Sequence, residues 1–169
     1  MSKILLIGSG EFALGIAQIL RNQPLNKLTM WTPDTQFSLP EDLKEVSLTL
    51  NLKESINQND YLFLLVSSPY VSTIFTDITT QDLEGKVLFI GTKGLLSKPP
   101  YYYTSWLKTK YPTLPVICFG GPNLAQDLRQ NAPVSITFAS QLPEIKTLTD
   151  PLFTSNVYKM YTSNIQGLQ

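Results

Sequence analysis

The chain has 169 residues, 43% of them hydrophobic and 15% charged, and its thirteen basic side chains cancel thirteen acidic ones. That length suits one well-packed domain and is short for two. The even charge, with Arg21 and Arg129 the only arginines, excludes the basic footprint that nucleic acid or an anionic membrane demands.

A single cysteine, Cys118, and no histidine exclude an internal disulfide and a Cys/His metal cluster, so no metal site is expected and a reducing, cytoplasmic setting is. The low charged share implies surface that is covered by something, and a homodimer is one way to cover it. Along the chain, the apolar start Ile4 to Ile7 is cut by Gly8, and no apolar run approaches about 18 residues, so neither a leader nor a membrane span is expected.

Short β-type runs recur: Lys3 to Ile7, Leu28 to Trp31, Val46 to Leu50, Tyr61 to Val66, Lys86 to Ile90, Val116 to Phe119 and Val134 to Phe138. We read each as a strand. Leu62-Phe63-Leu64-Leu65-Val66 is apolar at every position instead of alternating, which suits strands covered on both faces. Between the first two runs, Ala13, Ile16, Ala17 and Leu20 fall on one helical stripe, predicting a helix that ends near Asn22, before Pro24. Pro69 opens a predicted helix after the fourth strand, Tyr102 to Lys110 is predicted helical before Pro112, and Pro122 is placed in a helix's first turn. Pro99-Pro100 marks a loop, and no internal repeat is found. Tyr158 to Gln169 lacks periodicity and is expected to be poorly ordered. Strands alternating with helices predict an α/β fold: a doubly wound, mostly parallel sheet flanked by helices.

Gly8-Ser9-Gly10-Glu11-Phe12-Ala13 fits the pattern G-x-G-x-x-G/A between a predicted strand and a predicted helix. Gly8 permits a tight turn, Gly10 lets backbone approach a pyrophosphate, and Ala13 allows close packing, while free amides at the helix start face the phosphates. This is the fingerprint of a Rossmann fold that binds a dinucleotide. The second strand ends in Trp31-Thr32-Pro33-Asp34, where Asp34 is either a ribose ligand or a solvated loop residue. No arginine is nearby to favour a 2′-phosphate. NAD is therefore preferred, with NADP left open because Thr32 or Lys44 is within reach of a phosphate.

Three further segments extend the pattern: Thr92-Lys93-Gly94-Leu95, Gly121-Pro122-Asn123-Leu124-Ala125-Gln126-Asp127 and Val66-Ser67-Ser68-Pro69. Read with the glycine turn and in this order, they resemble NAD-dependent glycerol-3-phosphate dehydrogenase: its T-K-G-L segment, its G-P-x-x-A-x-E stretch with Asp127 for the glutamate, and its V-P-S with Ser67 for the proline. Phe12 stands where that family usually has tryptophan. Tyr158-Lys159-Met160-Tyr161 and Gly167-Leu168-Gln169 are similar to degenerate forms of its F-R-V-Y and G-V-E. The family's arginine near the second strand's end is absent, and Asn164 and Gln169 replace acidic residues.

The resemblance implies a dinucleotide-binding domain over residues 1–155 and a tail over 156–169 leading towards a C-terminal helical substrate domain. It implies cofactor contacts from Gly8, Ser9, Gly10, Glu11, Phe12, Ala13, Thr32, Ser67, Lys93 and Ala125, and substrate contacts from Lys93 and Asn123. In the family the lysine acting as general acid and base lies just beyond the G-V-E segment, so this chain alone is expected to be catalytically incomplete. A small phosphorylated substrate is then a partner only together with a second domain. Lys93, at a predicted strand's carboxyl end, is where ligands of open α/β sheets bind. Phe63 and Cys118 are read as core, and Tyr101-Tyr102-Tyr103 with Trp106 as a helix packing edge. Two alternatives stand beside the dehydrogenase reading: a stand-alone, non-catalytic dinucleotide-binding or regulatory relative, and another Rossmann reductase.

Overall fold

The computed structural model of the chain describes residues 1–96, 98, 101–122, 124–130, 132–154 and 156–163. β1 (Ser2–Ile7) leads into α1 (Glu11–Leu20) and β2 (Asn26–Trp31), and β3 (Ser47–Thr49), α2 (Leu52–Gln58) and β4 (Tyr61–Leu64) follow. Then come α3 (Val71–Ile74), β5 (Val87–Ile90), α4 (Tyr103–Lys110), β6 (Val116–Gly120), α5 (Ala125–Arg129), β7 (Val134–Ala139), α6 (Ile145–Thr149) and β8 (Val157–Thr162).

The strands form one eight-stranded sheet in the order β3-β2-β1-β4-β5-β6-β7-β8. From β3 to β6 every neighbour is parallel, β7 runs against β6, and β8 is parallel to β7. Successive side chains of a strand point to opposite faces, and here both faces are apolar. Ile4, Leu6, Phe63, Phe89 and Phe119 build one core with α1. Leu5, Ile7, Leu62, Leu64, Leu88 and Ile90 build the other with α3 and α4. That two-sided burial is why the central strands are apolar over stretches such as Ile4–Ile7 and Leu62–Leu64, and it makes the sheet doubly wound and mostly parallel, as the sequence implied.

Within the first core, the Phe63 and Phe89 rings stack at 4.5 Å and Phe119 meets both edge-on. Phe63 and Cys118 are buried, as read. α1 is buried around most of its circumference because α5 lies against it: a Cβ on Gly15 would come 2.7 Å from Leu128 Cβ.

Three expectations need correction. The stretch read as lacking periodicity holds all of β8 after Val157, and the strand's six residues pair in register with β7 from Val134↔Val157 to Ala139↔Thr162. Backbone pairing along β7 supplies the order that the side-chain pattern does not advertise. Pro122 lies in a bend ahead of α5, which starts at Ala125 with Leu124 as its N-cap. The strand read as Val46 to Leu50 is shorter, Ser47–Thr49, since Val46 turns into the core while Leu50 is exposed. Pro99, Pro100, Asn164 and the segment Gly167-Leu168-Gln169 lie outside the described residues.

Candidate functional site

From β1 the sheet grows in two directions, to β2 and β3 on one side and to β4 and β5 on the other. Where the winding reverses, the loops after adjacent strands part and leave a crevice at the strands' carboxyl ends. Gly8 sits there with φ +124°, and a Cβ on it would lie 3.2 Å from the backbone of Leu65 and Val66. Any other residue would be strained and would push the turn off the end of β4. Gly10 differs: a Cβ on it would meet nothing within 4 Å. The space beside it is open, as a seat for a ligand must be.

Gly10 is the N-cap of α1, no side chain caps that end, and the first helical bond runs from Leu14 N–H to Gly10 O. The amides of Glu11, Phe12 and Ala13 are thereby left without helical partners. They form, with the helix's positive end, a place for an anion. Ala13 is fully buried under the turn, whereas the Glu11 carboxylate is exposed.

Beside the turn lies a cleft of about 370 Å³ that brings together four expected site residues: Phe12, Ser67, Lys93 and Ala125. It is also lined by Leu65, Val66, Ser68, Gly91, Thr92 and Leu124, which the sequence reading did not single out as site residues. Three residues of Thr92-Lys93-Gly94-Leu95 have separate tasks. The Thr92 hydroxyl donates to Val66 O at 2.8 Å and Leu64 O at 3.3 Å, locking the end of β5 to the end of β4. Lys93 reaches into the cleft with its ammonium 5.8 Å from the Phe12 ring centroid. Leu95 O accepts a hydrogen bond from Ser68, closing the loop over Ser67. Phe12 in turn stacks on Phe119 at 6.3 Å, so the cleft wall is continuous with the aromatic core.

Thr32, also expected as a cofactor contact, does not line this cleft. Thr32 is fully buried, and its hydroxyl lies 2.8 Å from the Ser9 hydroxyl and accepts the Asp34 N–H at 3.2 Å. Asp34 is exposed and accepts the Gln36 N–H at 2.9 Å, shaping its own turn. Lys44 pairs with Glu41. Asn123 lies outside the described residues. Among the described residues no group of three or more His, Cys, Asp or Glu could hold a metal, and no helix is long and apolar enough to cross a membrane.

The family model described as NAD-dependent glycerol-3-phosphate dehydrogenase N-terminus matches residues 35–146. A glycerol-3-phosphate dehydrogenase [NAD(P)+] of Rickettsia massiliae is 28% identical, with 98% of this chain and 54% of that protein covered. One from Fusobacterium nucleatum is 26% identical over 96% of this chain and 53% of its own length. The chain spans about half the length of the curated relatives it matches. Among solved structures, glycerol-3-phosphate dehydrogenase from Coxiella burnetii superposes with a TM-score of 0.83 at 19% identity, covering 98% of this chain and 55% of that one. That likeness concerns the fold. The glycine turn precedes the span matched by the family model but falls within the alignment to the relatives, which runs over nearly the whole chain.

Proposed function

Because the chain belongs to the family of NAD-dependent glycerol-3-phosphate dehydrogenase N-terminal domains, we propose that it binds NAD(H) as the cofactor half of such a dehydrogenase. The observation that carries this reading is the open space at Gly10, set between uncapped helix amides and a cleft lined by Phe12, Ser67, Lys93 and Ala125. The residues present fit the group: helix amides for a pyrophosphate, and an apolar wall of Phe12 and Leu65 for a flat ring. When bound, the cofactor supplies or accepts a hydride at the carbon that interconverts between ketone and alcohol.

This chain's own residues bind and orient. Lys93, the one charged side chain lining the cleft among the described residues, would draw a small phosphorylated substrate towards the ring and steady a developing alkoxide. Proton transfer needs a further group, supplied by a second, helical domain. Gly8, Ser9, Glu11, Ala13 and Thr32 serve the dinucleotide as turn and support, and Asn123 is proposed as a substrate contact. NAD is favoured over NADP because Arg21, Lys44 and Arg129, around the segment after β2, are paired with Glu45, Glu41 and Asp42. A 2′-phosphate would require a cation taken from one of those pairs. We place the protein in the cytoplasm, where a buried thiol such as Cys118 stays reduced.

Titrating NADH should give a saturable fluorescence change, with NADPH at least about tenfold weaker. Gly10→Val should abolish binding, since a branched side chain would fill the open seat; equal affinity in the variant would remove the site. The second reading, a dinucleotide-binding or regulatory protein without turnover, draws on Lys93 being the cleft's sole charged group among the described residues. Both readings expect no glycerol-3-phosphate oxidation from this chain alone, and robust turnover would overturn both. They part when a relative's helical domain is added: restored activity supports the dehydrogenase half.

A further inference from the structure

We propose that Thr32 is a positioning residue for the adenosine-diphosphate half of the ligand, acting through Ser9 and never touching the cofactor; the proposal rests on the dinucleotide reading above. Thr32 is fully buried at the end of β2, so its side chain is closed to a ligand. Its hydroxyl nevertheless joins two pieces of chain that a dinucleotide would touch. On one side it meets the Ser9 hydroxyl at 2.8 Å, in the middle of the glycine turn. On the other it accepts the Asp34 N–H at 3.2 Å, at the start of the segment beyond β2. The backbone adds only Gly8 N–H to Trp31 O at 3.0 Å and Thr32 N–H to Thr49 O at 3.2 Å.

One buried oxygen thus sets the separation between the amides that would hold the pyrophosphate and the turn that would flank the ribose. Hydrogen bonds weaken steeply with distance and angle, so a turn free to drift by a few tenths of an ångström loses several weak contacts together. The nicotinamide side does not depend on Thr32. There the Thr92 hydroxyl holds the ends of β4 and β5, and Phe12 rests on Phe119. The fold therefore has two separate hydroxyl struts, one under each half of the ligand.

This separation makes a half-ligand experiment decisive. In calorimetric titrations of the full chain, Thr32→Val, which keeps the shape and removes the oxygen, should weaken NADH and ADP-ribose at least about tenfold. Nicotinamide mononucleotide should bind within about twofold of wild type. Thr32→Ser should restore the lost affinity to within about threefold. Ser9→Ala breaks the same hydrogen bond from the half-buried side, guards against a folding defect at position 32, and should reproduce the loss. The double variant should be no worse than Thr32→Val, because Ser9→Ala removes one of the two hydrogen bonds that Thr32→Val already removes. Wild-type affinity for ADP-ribose in Thr32→Val, or equal losses for both half-ligands, would overturn the proposal while leaving the dinucleotide reading standing. Failure of the wild-type chain to bind NADH or ADP-ribose at all would remove that reading and this proposal with it.

Discussion

The cleft beside the glycine turn and a groove beside β7 and β8 are both open hollows, and the groove is the larger, about 570 Å³ against 370 Å³. They differ in the direction of the chain that feeds them. At the cleft, parallel β1, β4 and β5 end together, so their loops deliver backbone amides and the start of α1. At the groove, β7 and β8 begin: Val134 and Val157 are among its lining, and it follows β8 as far as Tyr161. Two of the polar groups there already have partners, with Tyr161 donating to Asp150 and Lys159 lying 3.8 Å from the same carboxylate. Strand polarity, more than hollow size, decides which concavity can take an anionic ligand.

The largest effect that would sharpen this contrast is Phe119→Ala set against Tyr158→Ser. Phe119 is 3% exposed, stacks under Phe12 and packs on Phe63 and Phe138, so its truncation should cost about 3–5 kcal/mol in urea unfolding. The folded fraction should bind NADH at least about tenfold more weakly, because Phe12 loses the ring behind it. Tyr158 lines the groove but is 70% exposed, and Tyr158→Ser should stay within about 0.5 kcal/mol and leave NADH binding unchanged. Were the groove variant to lose NADH affinity as well, the two hollows would not be distinct in function.

How much of this was legible in the sequence follows the same division. Strands such as Leu62-Phe63-Leu64 announce themselves because both faces are buried and every position is apolar. β8 does not, since Tyr158 and Met160 are exposed, Lys159 sits between them, and only the partner strand makes a strand of it. At the site, the glycine turn and Lys93 were readable from local spacing and strand ends. Thr92 was visible as part of a motif but its task was not, because its hydroxyl acts across 26 residues on Val66. Thr32 was read as a cofactor contact on its place after the second strand. Its full burial and its hydrogen bond with Ser9 are three-dimensional properties that no local spacing displays.

A second, intermediate effect separates the turn's backbone from its side chain. Glu11 contributes an amide to the cradle, yet its exposed carboxylate sits in the first turn of α1, and no cation pairs with it among the described residues. A negative charge there favours the empty helix end and opposes an incoming pyrophosphate. Glu11→Gln should therefore tighten NADH by about 3- to 10-fold at low ionic strength while lowering the melting temperature slightly. The affinity gap should close as salt is raised, since exposed charges are screened over about 8–10 Å at 0.1–0.15 M. A gap independent of salt would show that the carboxylate acts by shape and not by charge.

The smallest effect belongs to the groove and tests whether its polar cluster serves stability alone. Burial, then the hydrogen bond to Asp150, push the Tyr161 phenol above its ordinary value of 10.0, with Lys146 lying 5.4 Å from the ring centroid and Lys159 near the same carboxylate. A folded-state value raised above the unfolded one means that the contribution is complete below about pH 10 and is lost as pH rises past the folded value. Tyr161→Phe should cost about 1 kcal/mol at pH 8, the loss of one hydrogen bond. Above pH 10 the wild-type urea midpoint should fall more steeply than that of the variant, whereas Tyr111, pushed up to about 12 by burial, adds the same decline to both proteins. NADH affinity at pH 8 should be identical in the two. A weakened affinity in Tyr161→Phe would instead couple β8 to the cleft, through Phe138 on which Tyr161 stacks and Phe119 beyond it.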